Sequence, residues 1–542
     1  MVKTPFTKMT FTPDVPSSAL AANEYSAGYN VESDVRSIKS ILGEQYILSQ
    51  VPGTVIFVTG GFLQATDWYF IVATSQGNWY LVNNAGYANI TPSNGNFSGY
   101  NASTVITASW NGQTLFLNDQ LNPPMYYLYG ENRIQLFDYP DYLTGQTYVW
   151  NYDVGYNSTG NVVPLYSSLT AGFVRVYNSP NVGSLLVAGN LTGNINANVV
   201  PGGGTVQHLP TTLRWSQNFG LNSGPQTWAP TVTNVANELE VAVRGQLVDG
   251  FTLNGNFYVF SYWDCVLMAP ISYTSTSAPV FAFTKVTDAR GLINENCYAI
   301  VDSTAYGVDA RDIWVFNGQN FTPIGDQRIK NYFYNNLNSN YTNQIFMVHN
   351  SKKYQIEIYY PDLTSTGYCN QMLSYRYDLD AWNPPRQVQK ATAGCESPVW
   401  TGNVANLASR GVVYGSASGN VALIQKDIGT SFVGNTAIST LFERDNISFG
   451  QDYSASILTH RVYPEVYGTG NITIAIGGAN AVGNTAIYKT AVNVAIQTEN
   501  PWVQISQNEE RITSVKVTSN SAVDSWQISA LNWQITKVQD TR

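Results

Sequence analysis

The chain is poor in most of what catalytic, metal-binding and nucleic-acid-binding proteins use in quantity. Only 12% of its 542 residues are charged, about half the usual share. Lysine and glutamate are scarce, and long surface helices depend on such pairs, so a helical protein is disfavoured. No lysine- or arginine-rich run occurs and the net charge is −9, which argues against general attraction to phosphates. The three histidines, His208, His349 and His460, have neither an i+4 histidine nor acidic neighbours at metal-ligand spacing. Cys265, Cys297, Cys369 and Cys395 are too widely spread for a CxxC pair or a zinc ribbon. Each sits in or beside apolar sequence and reads as a buried free thiol. Gly202-Gly203-Gly204-Thr205 lacks the Lys-Ser/Thr of a phosphate loop and reads as a turn after Pro201. No apolar run approaches the ~18 residues of a membrane span. The opening Met1-Val2-Lys3-Thr4-Pro5-Phe6 shows no signal peptide.

What is present points one way. Aromatics make up 13% of the chain, led by 36 Tyr, and Thr, Val and Asn-rich turns accompany them. Such residues suit a pleated, half-buried surface with many tight connections. The expected class is all-β.

Three regions differ in texture. Residues 1–55, with Pro13, Pro16 and the small-residue stretch from Ser17 to Ala22, read as an extended N-terminal arm that must pack on the body or on a neighbour. From 56 to 430 a module recurs: apolar strand, Gly/Asn turn, return strand. Instances turn at Gln76-Gly77-Asn78, Asn111-Gly112, Asn254-Gly255-Asn256, Asn317-Gly318 and Ser418-Gly419-Asn420. Asn-Gly between apolar runs is the strongest short hairpin signal, because it tolerates φ > 0. Such units predict a β-propeller of six or seven irregular blades, although an array of sandwiches would show the same hairpins. From 431 to 542, segments around Val462, Ile474, Val515 and Ile528 alternate with period two, which predicts an antiparallel β-sandwich.

The candidate chemistry is thin. Ser216-Gln217-Asn218-Phe219-Gly220 followed by Trp228 distantly resembles a sialidase Asp box, but Asn218 stands where the carboxylate would be. Sialidases also need three convergent arginines and a nucleophilic tyrosine, and Arg175, Arg214 and Arg244 are isolated in sequence. Asp309-Ala310-Arg311-Asp312 and Asp378-Leu379-Asp380 lack the alternating pattern of a calcium loop; the first reads as a salt-paired loop before a strand, the second as a strand-to-turn plugged by Trp382. No catalytic, cofactor-binding or metal-binding residues are assigned.

The tract Leu213-Arg214-Trp215-Ser216 … Trp228-Ala229-Pro230 is the most distinctive in the chain. It resembles the "RWS … W" tract of the tail nozzle family, also called tail tubular protein B or packaged-DNA stabilisation protein, of short-tailed, podovirus-type phages. Other segments resemble that family in the same order. They are Asn23 to Val31, Gly245 to Gly250, Leu253 to Phe260, Gly291-Leu292-Ile293, Ile313 to Gly318, Glu357 to Pro361, Tyr375-Arg376-Tyr377 with Trp382, Phe442 to Asp445, and the strand at Trp526. The family's "GR" before the penultimate strand is here Glu510-Arg511. The resemblance implies a structural virion protein and no enzyme. It would be a nozzle or hub subunit, assembled in the host cytoplasm into the phage tail, forming a homo-hexameric ring. The ring would enclose the DNA channel, retain the packaged genome and let double-stranded DNA pass transiently and non-specifically at ejection. Implied partners are the portal and adaptor proteins and tail fibres or spikes. The alternative reading is a carbohydrate-binding, receptor-recognition β-propeller protein.

Overall fold

A computed structural model describes the chain except residues 65–66, 141–144, 146, 152, 157–161, 165, 198–203, 232, 272–279, 419–422, 448, 450–454, 482, 498–501 and 539–542. Gly202, Gly203 and the Gly419-Asn420 turn lie outside the described residues. The fold is all-β: one α-helix, Lys330–Asn336, is present among the described residues, and antiparallel sheets make up most of the rest.

Five four-stranded meanders follow one another. The first is Val55–Gln64, Asp67–Thr74, Trp79–Asn83, Gly86–Asn89. The second is Thr107–Asn111, Thr114–Asn118, Met125–Leu128, Gln135–Leu136. The third is Tyr166–Ser179, Gly183–Ile195, Val206–Trp215, Asn237–Glu240. The fourth is Leu247–Leu253, Asn256–Ser261, Cys265–Ile271, Val280–Thr287. The fifth is Tyr298–Val301, Thr304–Val308, Ile313–Phe316, Phe321–Pro323. A seven-stranded sheet then runs Phe346–Asn350, Gln355–Tyr360, Cys369–Arg376, Ala381–Thr401, Val404–Ser416, Leu423–Lys426, and ends on Glu44–Ile47 from the arm. Its 21-residue strand pairs with Cys369–Arg376 up to Ala391 and with Val404–Ser416 beyond it. Lys390, at φ 47°, marks the bend between the halves. The sheet is thus two four-stranded units joined through one strand.

Local chemistry explains why the module recurs. At Asn254-Gly255 both residues have positive φ (52° and 76°), and Leu253 pairs with Asn256 across a two-residue loop, as the Asn-Gly signal predicts. Elsewhere only the glycine does so, as at Gly112 and Gly318. Between the second and third strands a polar side chain repeatedly ties the turn. Asp119 accepts from the Leu121 and Asn122 amides, Ser261 from Trp263 and Asp264, and Asp309 from Arg311 and Asp312. The same i+2, i+3 geometry serves in the second, fourth and fifth sheets.

Buried apolar clusters link neighbours in sequence order. The first and second sheets share Trp79 and Leu117, the second and third share Phe116 and Val174, and the third and fourth share Trp215 and Phe257. The fourth to sixth share Phe260, Trp314 and Ile358, and the two halves of the seven-stranded sheet share Tyr359 and Tyr414. The last half returns to the first sheet through Val413, Trp400 and Phe70. The order closes on itself.

The arm is woven into the opposite end of the chain. Val2–Pro5 and the hairpin Val31–Asp34/Ser37–Ser40 extend a sheet containing Val503–Glu510, Ser456–Gly468 and Trp526–Val538. Ala27–Tyr29 pairs with Ile438–Ile447 in a second sheet, which also holds Asn471–Ala479 and Ile512–Ser521. Phe6, Phe11 and Tyr25 are buried against Phe442 and Tyr332. Each such ring contributes about 1.5–3 kcal/mol by leaving water. The arm has too little apolar sequence for a core of its own, and it completes this one.

Candidate functional site

The Arg214-Trp215-Ser216 tract ends the third strand of the third sheet, where alternate residues face opposite sides. Arg214 is 1% exposed and faces the second sheet. It donates to the Trp150 carbonyl at 2.6 Å and lies 4.8 Å from the Trp150 ring centroid and 5.9 Å from that of Trp228. The two indoles meet edge to face at 4.6 Å. Trp215 faces the other way, 5.6 Å from Phe281 of the fourth sheet, and its indole donates to Val235 O at 2.6 Å. Ser216 ties back to Leu186 and Gln217. Through Trp215 the tract ties the third sheet to the fourth, while a desolvated cation–π contact holds Arg214 against the loop indoles Trp150 and Trp228, and Asn218 is bonded to Val182 O.

A second constellation lies where the first strands of the sheets converge. Arg175 grips Asp249 bidentately, Nε to Oδ1 at 2.8 Å and Nη2 to Oδ2 at 2.5 Å. It also donates to Ala108 O and to Asn296 Oδ1, while Asn296 bonds Ile106 O and the Asp249 carboxylate. Four sheets are thus joined through one guanidinium. Burial works against its charge, but Asp249 and then Tyr298 outweigh it and hold Arg175 above its ordinary value. Glu295, bonded to Gln120, is pushed up to about 7, first by burial and then by the nearby Asp249 charge. The adjoining cavity measures about 200 Å³ and is lined by Phe57, Ile106, Arg175, Tyr298, Met347 and Ala393.

The third lies where the arm joins the last sheet. Arg386 reaches Asp427 at 2.5 Å and Glu44 at 3.5 Å. Lys353 bonds Glu32 at 2.7 Å and Asp427 at 2.8 Å, and Lys426 bonds Glu357 and Asp427, both at 2.7 Å. Burial raises Asp427, but Lys353, Lys426 and Arg386 overcome it and hold the carboxyl well below its ordinary range. Glu44 goes the other way: burial lifts it more than Arg386 lowers it. Three cations face four carboxylates here.

The residues singled out in the sequence fall into separate places. Arg175 pairs with Asp249, Arg214 with the Trp150 carbonyl and Arg244 with Asp264, so the described contacts do not bring the three together. His208, His349 and His460 each meet a single hydroxyl, of Thr192, Tyr377 and Thr536. Among the described residues no three His, Cys, Asp or Glu side chains gather as a metal group would need. Asp309 pairs with Arg290, Asp312 with Lys330, Asp378 with Arg376 and Asp380 with Arg328. All four cysteines are free; Cys265, Cys297 and Cys369 are buried and Cys395 is half-buried. Sequence reading missed Lys353, Arg386 and Lys426, and the Arg175–Asp249 pairing. At Lys426 and Arg175 the signal was a charge inside an apolar strand, in Leu423-Ile424-Gln425-Lys426 and Val174-Arg175-Val176, whereas Lys353, in the short turn Ser351–Lys353, carried none.

No family model matches the chain, and no curated protein matches it. Among solved structures, the computationally designed Ika8 protein is similar over 71% of this chain and 100% of its own, at 8% identity and a TM-score of 0.33. A chain of a mitotic checkpoint complex is similar over 72% and 93%, at 8% identity and a TM-score of 0.36. No helix in the described residues is long and apolar enough to cross a membrane.

Proposed function

We propose that this chain is a structural virion protein, a tail nozzle or hub subunit of a short-tailed phage, that assembles as a hexameric ring around the DNA channel. In this reading the circular order of sheets is a β-propeller of seven irregular blades. Glu44–Ile47 closes its last blade, and the two C-terminal sheets form a sandwich around the arm. The observation that carries the proposal is the use of charge. The buried charged groups near the axis and at the arm join strands far apart in sequence, which suits a part that bears load and turns over no substrate. The ordered resemblance along the chain supplies the family.

The central junction constrains the mechanism. A 200 Å³ cavity admits a few waters, whereas the major groove of B-DNA alone is about 12 Å wide. DNA therefore passes between copies, along a lumen formed by their outer surfaces, and never through the axis of one copy. Repeated head-to-tail contacts that close generate such a ring. Each copy carries −9, and acidic side chains facing the lumen would keep passing DNA from adhering. The ring would sit below the portal and adaptor and carry fibres or spikes. Negative-stain microscopy of the purified chain, and of virions labelled on it, tests this. Sixfold rings at the tail tip are expected; monomers or trimers in solution with no tail label overturn it.

A further inference from the structure

Two open clefts beside the first sheet, walled by its neighbours the second sheet and the far half of the seven-stranded sheet, share the Trp68 ring. One, of about 360 Å³, is walled by Trp68, Tyr69, Tyr129 and Trp400 and rimmed by Asn83 and Asn84. The other, of about 320 Å³, sets Trp68, Trp110, Glu396 and Arg410 around Gly60 and Gly61. These glycines are what lets the indoles lie against the strand. A Cβ at Gly60 would stand 2.6 Å from the Trp68 ring, and one at Gly61 2.6 Å from the Trp110 ring. Both volumes fall in the range of about 300–1,000 Å³ typical of small-molecule sites.

The lining of the first cleft fits one class of ligand. Its residues include no lysine or arginine, Asp67 adds a carboxylate at the rim, and Arg410 of the second cleft stands 5.9 Å from the Trp68 ring centroid. A sugar ring matches this lining: an apolar C–H face for the aromatic wall and hydroxyl groups for the rim amides.

We propose that this cleft is a binding subsite for a neutral oligosaccharide, with a sugar ring against the aromatic wall of Trp68 and Tyr129 and its hydroxyls bonded to the rim amides of Asn83 and Asn84. The subsite belongs to the single chain and stands whether or not six copies form a ring. The test applies the full chain to a printed array of bacterial surface oligosaccharides, neutral and acidic, and titrates the hits by tryptophan fluorescence. Neutral members are expected to bind. Tyr129→Ala should weaken them about tenfold, the loss of one stacked ring. Asn84→Ala, at an exposed turn position whose loss leaves folding intact, should weaken them severalfold. Tyr467→Ala, at an exposed ring outside the cleft, should leave binding unchanged. Binding to no printed glycan, binding to acidic ones alone, or affinity unmoved by Tyr129→Ala and Asn84→Ala overturns the proposal.

Discussion

The junction at Arg175 and the seam at Arg386 both bury charge, yet they are built differently. At the junction one guanidinium meets one carboxylate, and its remaining donors go to a backbone carbonyl and to Asn296. At the seam Asp427 is shared by Lys353, Arg386 and Lys426, and the arm's Glu32 and Glu44 reach partners more than 300 residues away. A pair set among apolar neighbours is replaceable, since well-packed apolar residues of similar size can take its volume. A shared network is not, because each cation serves at least two carboxylates, and removing one leaves buried charge less well compensated. The seam therefore specifies where the arm docks, and the junction only holds neighbours that are already adjacent.

The largest expected effect is at the seam. Arg386→Met should cost about 3–5 kcal/mol in denaturant unfolding, the usual result of leaving buried charge unpaired. A loss below about 1 kcal/mol would break the comparison outright. At the junction, Arg175→Met alone should cost a similar amount. Combining it with Asp249→Leu should recover all but about 1–2 kcal/mol, and a double variant as unstable as the single would erase the distinction.

Acid and base should act on the two sites in opposite directions. Glu295 is raised in the folded chain to about 7, above its unfolded value of about 4.3. Its contribution is full below that unfolded value and is lost as pH climbs toward 7. Asp427 is depressed, so its contribution is present above about pH 4 and is lost as pH falls further. Melting temperatures of the wild type and of Glu295→Gln, whose amide mimics the protonated carboxyl, should agree near pH 4 and separate toward pH 8, with the variant the more stable. Parallel curves would remove Glu295 from the account. The smallest effect is local: Asn254→Ala, at φ 52°, should cost about 1 kcal/mol, read as a small shift in midpoint.

Strand positions were largely readable. Trp68-to-Ala73 and Trp79-to-Val82 pair across the Gln76-Gly77-Asn78 turn as the apolar runs predict, with Trp79 opposite Ala73, and the Asn254-Gly255 turn adopts the conformation its residues favour. The ion networks were not readable, because Lys426 looks like any strand charge until Glu357 and Asp427 are folded against it. The aromatic cleft was hidden for the same reason: Trp68 and Trp400 lie more than 300 residues apart in the chain.

By itself the sequence determined the all-β class, the hairpin modules and the lack of an obvious catalytic signature, because those depend on neighbours two to five residues apart. Tertiary structure alone decided that the last sheet returns to the first, that the arm completes the C-terminal sheets, and that Arg214 serves as a clamp between indoles. Those outcomes depend on which distant surfaces exclude water together, and no local pattern of residues encodes that pairing.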